Sequence, residues 1–77
     1  MDPDILKKFG QEVQVRRKKL GFSQERFAHE IGVHRTYMGF IERGERNPTL
    51  GTLYKISRAL NIRLDELFAF DQPCLSQ

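Results

Sequence analysis

Three glycines, at positions 21, 32 and 44, cut the chain into short blocks, and within each block apolar residues recur at intervals of three and four. No other feature constrains the fold as much. The spacing is that of one face of an α-helix, and glycine tolerates the positive backbone angle at which many helices stop. No stretch alternates apolar and polar residues for long enough to suggest a strand. The prolines at 3, 48 and 73 fall where a break between helices is harmless.

Five helices are expected. The first covers residues 4–20, with Ile5, Leu6, Phe9, Val13 and Leu20 on one face, Asp4 as its cap and Gly21 as its stop. The second covers residues 24–31, capped by the Ser23 hydroxyl and ended by Gly32. A third, over residues 35–43, is closed by Gly44. The fourth follows Asn47, Pro48 and Thr49, with Thr49 as cap, and runs to residue 60 with Leu53, Ile56 and Leu60 facing inward. A short fifth spans residues 64–68. The expected fold is all-α, one compact domain over residues 1–70, followed by a flexible tail at 71–77.

Seventy-seven residues allow a single core that is too small to enclose a roomy active-site cleft, which counts against an enzyme. No run approaches the roughly 20 apolar residues that span a bilayer, and the acidic start does not look like a signal peptide. A soluble, intracellular protein is expected. The single cysteine, Cys74, lies in the tail and cannot close an internal disulfide. An inert thiol is the plain reading, with an intermolecular disulfide or redox role as the alternative. The net charge of +3 is unevenly spread: residues 1–63 hold all 13 Lys and Arg, whereas residues 64–77 hold three acids and no base. A basic body suits a polyanionic partner, although basic faces are ordinary on small proteins.

The most informative stretch is 24–43, QERFAHEIGVHRTYMGFIER. Phe27 and Ile31 share one face of the first helix in it, and Met38 and Ile41 share one face of the second. Val33 plugs the turn, and Ala28 is small where the axes cross. Two helices joined by a sharp turn at Gly32 follow. The outer face of the second is left with His34, Arg35, Thr36, Gly39 and Phe40.

This stretch resembles the helix-turn-helix of the phage repressor/Cro (Xre) family, and the resemblance extends over about residues 9–68. Gly21, Phe22, Ser23 and Gln24 resemble the family's approach to the first motif helix, and Ile41, Glu42, Arg43 and Gly44 its exit from the second. The run His34, Arg35, Thr36, Tyr37, with residues 42–47 (ERGERN), is similar more narrowly to controller proteins of restriction–modification systems. The resemblance implies a five-helix, lambda-repressor-like domain. It also implies a dimeric, autoregulatory transcription regulator that binds a pseudo-palindromic operator in double-stranded DNA, with RNA polymerase as a further candidate partner.

In such motifs the second helix enters the major groove and the first crosses the backbone. Arg35 could then bridge guanine O6 and N7, and Thr36 could donate to a base or offer its methyl to thymine. His34 departs from the Ser or Asp common at that position, which leaves base contact and plain surface equally open. Phe40 has three roles open to it: touching thymine methyls, stacking on DNA, or covering its own helix. Ser23, Gln24, Tyr37, Arg43, Arg46 and Asn47 are the expected backbone contacts. The resemblance further implies that Gln24 braces the recognition helix and that Arg17 and Glu42 form a partly buried ion pair. Arg16 stands where the family often has an apolar residue, so its stem is expected to pack with its charge in water.

No cofactor is expected, and no metal site: His29, Glu30 and His34 do not converge. Ile62, Leu64, Leu67, Phe68 and Phe70 are more apolar than a small core needs, so they are the expected dimer interface. The alternative is that Phe68 and Phe70 fold back on the first helix. A functional alternative also stands, an antitoxin-like or bridging adaptor that acts mainly through a protein partner.

Overall fold

Wherever the apolar residues are spaced at three and four, the chain is helical. The computed structural model describes residues 3–69. Its helices are α1 (Pro3–Lys19), α2 (Gln24–Ile31), α3 (Arg35–Glu42), α4 (Leu50–Ala59) and α5 (Leu64–Leu67), and there is no strand among the described residues. None of these helices is long and apolar enough to cross a membrane.

The starts and stops have local causes. Ser23 Oγ accepts the Arg26 N–H at 3.0 Å, and Thr49 Oγ1 accepts the Thr52 N–H at 3.1 Å, as expected of caps. Gly32 stops α2 at φ +74°. There the Gly32 N–H donates to His29 and the Val33 N–H to Ala28, which satisfies two carbonyls that a helix end leaves open. Asn61, at φ +59°, does the same for α4. It is a left-handed stop that Asn tolerates better than other side chains. Ahead of α5, the Glu66 carboxylate accepts the Arg63 N–H at 2.9 Å. Arg63 cannot return the bond through its side chain, because a guanidinium has no acceptor.

Several expectations need correction. α1 begins at Pro3, which has no N–H to leave unsatisfied, so Asp4 lies inside the first turn instead of capping it. α1 ends at Lys19, and Leu20 turns out into solvent at 53% exposure instead of joining the inner face. α3, α4 and α5 each end one residue early, with Arg43, Leu60 and Phe68 at their C-caps.

The core gathers Phe9 and Val13 from α1, Phe27, Ala28 and Ile31 from α2, and Met38 and Ile41 from α3. Ile56 and Leu60 of the α4 end and Leu67 of α5 complete it. Burying each of the larger side chains contributes about 1.5–3 kcal/mol. Val33 packs half-buried against this core at the α2–α3 turn. α1 crosses the C-terminal end of α3 so closely that a Cβ on Gly10 would overlap the carbonyl oxygens of Ile41 and Glu42.

Candidate nucleic-acid interface

The site is built around one buried carboxylate. Glu42, in the last turn of α3, accepts Arg17 Nε at 2.7 Å, Arg17 Nη2 at 3.0 Å and Gln24 Nε2 at 3.0 Å. Arg17 uses its remaining edge on the Phe22 carbonyl, with Nη1 at 2.8 Å. Both charged side chains are nearly inaccessible, at 6% for Arg17 and 2% for Glu42. A planar guanidinium meeting a carboxylate with two parallel bonds fixes direction as well as distance. One network therefore ties α1, the approach to α2, and α3. Phe22 also lies edge-on to Phe27, 5.6 Å between ring centres. This is the Arg17–Glu42 pair and the Gln24 brace expected from the resemblance.

With its back fixed, α3 turns its first residues outward. His34 is the N-cap: its Nδ1 accepts the Thr36 N–H at 3.0 Å. In this arrangement the ring proton lies on Nε2, which remains available as a donor. Arg35 and Thr36 follow on the exposed first turn. The Arg35 side chain is 68% exposed, with Nη1 3.8 Å from the Glu25 carboxylate of α2. So loose an exposed pair leaves the side chain free to move to another partner. Tyr37 is half-buried with its ring against the core.

Gly39 is not free on the outer face as the sequence expectation had it. It is buried, and a Cβ there would stand 3.1 Å from Arg43 Nη1 and 3.4 Å from Gln24 Oε1. Phe40 is half-buried, with the guanidinium carbons of Arg43 and Arg46 over its ring at 5.2 and 5.4 Å. Arg43, Arg46 and Asn47 are exposed between α3 and α4, and Arg43 Nε lies 3.2 Å from Glu45 Oε1. Arg16 pairs with Glu12 at 2.6 Å, its side chain 32% exposed.

Sequence reasoning missed two features of this face. The His34 cap was hidden because histidine is not among the usual capping residues. Glu25 comes beside Arg35 only through the α2–α3 packing, and no local spacing reveals that. The expected dimer residues divide. Leu67 is wholly buried within the monomer and is a core residue, not an interface residue. Ile62 and Leu64 pack half-buried against the core. Phe68 folds back on α1, stacked on Phe9 at 5.4 Å between ring centres, and remains 36% exposed. It lines an apolar hollow of about 160 Å³ with Ile5, Leu6, Phe9, Pro48 and Leu53. Phe70, Cys74 and the expected tail at 71–77 lie outside the described residues.

Residues 13–67 match the helix-turn-helix family model HTH_3. The control protein C.BamHI of Bacillus amyloliquefaciens is 45% identical over 71 residues, which cover 91% of this chain and 88% of that protein. The crystal structure of the restriction–modification controller protein C.AhdI from Aeromonas hydrophila superposes with a TM-score of 0.80 at 42% identity, covering 84% of this chain and 94% of that one. A crystal structure of SinR, master regulator for biofilm formation, in complex with DNA superposes with a TM-score of 0.72 at 33% identity, covering 77% and 95%.

Proposed function

This chain belongs to the helix-turn-helix family, and on that footing we propose that it is a sequence-specific regulator of transcription that controls a restriction–modification system. It binds double-stranded DNA with α3 in the major groove. The observation that carries the reading is the exposed first turn of α3, with Arg35 and Thr36 on it, held from behind by the buried Arg17–Glu42–Gln24 network.

The division of labour follows from the chemistry. Arg35 releases Glu25 and gives its two parallel N–H donors to guanine O6 and N7, while Thr36 meets the neighbouring base edge. His34, its Nδ1 engaged as cap, has Nε2 left as a donor for the same edge. Ser23 and Gln24 at the start of α2, with Tyr37, Arg43, Arg46 and Asn47, meet phosphates and set the register. The face acts by binding and includes no group assigned to bond-making chemistry. The reading places the protein in the cytoplasm with its DNA.

One such domain contacts too few base pairs to select a genomic site, so two copies bind half-sites about 34 Å apart. Phe68, 36% exposed just past the end of α5, supports pairing there, together with the half-buried Ile62 and Leu64. Selection from random duplex DNA followed by sequencing tests the whole reading. A two-fold symmetric motif is expected, and recovery of no enriched motif would refute it.

A further inference from the structure

We propose that Phe40 is a positioning residue: a platform that holds the Arg46 guanidinium, and with it that of Arg43, in place for DNA phosphates, and that reads no base itself. The inference rests on the DNA-binding reading above and assigns Phe40 a part in it.

The two guanidinium carbons lie 5.2 and 5.4 Å from the centre of the Phe40 ring, within the roughly 6 Å at which an aromatic face attracts a cation. The backbone brings them there. Arg43 stands one turn beyond Phe40 as the C-cap of α3. Gly44, at φ +74°, then reverses the chain, with the Gly44 N–H on the Ile41 carbonyl at 3.1 Å and the Glu45 N–H on the Phe40 carbonyl at 2.8 Å. This turn returns residue 46 to the ring that residue 43 already covers.

Two like charges on one ring repel, and the Glu45 carboxylate, 3.2 Å from Arg43 Nε, offsets one of them. Arg46 has no carboxylate within ion-pair distance among the described residues; the ring is its partner. A guanidinium carbon 5.4 Å from the ring centre does not use up the five N–H donors of the group, so donors remain for an oxygen anion. A phosphate is that anion on a helix-turn-helix face. Arg46 therefore enters the complex with part of its side-chain freedom already removed, which lowers the ordering cost of binding. The ring is half-buried beneath two side chains, surroundings that suit a platform more than a base reader.

The test uses the full chain, the duplex recovered by selection, and an unrelated duplex of equal length. Phe40→Leu keeps an apolar side chain without the aromatic face. It is expected to weaken binding about three- to tenfold on both duplexes alike. The dependence of affinity on salt should keep its slope, because both cations remain, whereas Arg46→Ala should reduce that slope by about one. Phe40→Tyr should restore wild-type affinity. In the free protein, the Arg46 side-chain proton resonances should lose their ring-current shift in Phe40→Leu.

A loss confined to the selected duplex would make Phe40 a base reader and overturn the proposal. So would unchanged affinity, or a slope that falls with Phe40→Leu. A wild-type chain that discriminates no duplex removes the DNA reading and this one with it. A discriminating wild type with an unaffected Phe40→Leu variant removes this one alone.

Discussion

Glu42 and Arg35 occupy the same short helix and behave in opposite ways. Glu42 is enclosed, with three N–H donors on its carboxylate, and Arg35 stands in water. Glu42→Ala leaves the Arg17 charge buried without its partner, a loss of about 3–5 kcal/mol. A domain of this length has roughly 4–12 kcal/mol in all. Urea denaturation should show the variant largely destabilised, and a midpoint equal to wild type would contradict the described geometry. Arg35→Ala should leave that midpoint within about 0.5 kcal/mol. It should flatten preference at one base pair by about 1–3 kcal/mol, read by competition between single-substituted duplexes. The enclosure of Glu42 was legible through the family resemblance, and the exposure of Arg35 through its place at the start of a helix. Gly39 was misjudged because helical spacing places it outward, whereas Gln24 and Arg43 close over it from positions that spacing does not describe.

Among the elements, two glycines separate conformational cost from steric cost. At Gly32 a Cβ meets nothing within 4 Å, so Gly32→Ala suffers only the left-handed backbone, about 1–2 kcal/mol. At Gly10 the backbone angle is ordinary, but the added carbon runs into the carbonyls of α3. Gly10→Ala should therefore cost about 2–3 kcal/mol and displace α1 from α3. Thermal unfolding of the pair should rank Gly10→Ala as the more damaging; the reverse order would mean that α1 and α3 do not meet backbone to backbone. α5 adds a pH effect. The hydrogen bonds from Arg63, with Nη2 2.8 Å from Asp65 Oδ2, hold the Asp65 carboxyl below its ordinary value and raise Arg63. A carboxyl lowered in the folded state supports α5 above the ordinary carboxylate range, and that support is lost as pH falls through the lowered value. An NMR titration of Asp65 should show a midpoint below the usual range that returns to it in Arg63→Ala. An Asp65 midpoint unaffected by Arg63→Ala would show that the pair does not persist in solution. Ser23, Thr49 and the glycine stops were legible because caps are local chemistry. Leu20 was not: its spacing suits the α1 face, but the helix ends before reaching it, and only the turn at Gly21 decides where the side chain goes.

For the whole molecule, the proposed operator reading requires that two copies meet. Leu67 is buried within one copy, which leaves Phe68 and the half-buried Ile62 and Leu64 as the proposed pairing residues. Sedimentation equilibrium at micromolar concentration should give twice the 9.0 kDa chain mass. Phe68→Ala should shift the midpoint of dissociation upward by about tenfold, since truncating a central aromatic commonly costs more than 1 kcal/mol. A 9 kDa species alone would sink the paired operator model. The division between the enclosed Arg17–Glu42 brace and the open first turn of α3 has a further consequence. Residues 34–36 contribute no side chain to the core, so exchange at Arg35 and Thr36 is nearly free of folding penalty. Descendants of one ancestral controller could thus diverge to new operators by altering a few letters at one helix tip while inheriting the scaffold intact, and rival restriction systems could share a single cell without answering to each other's switches.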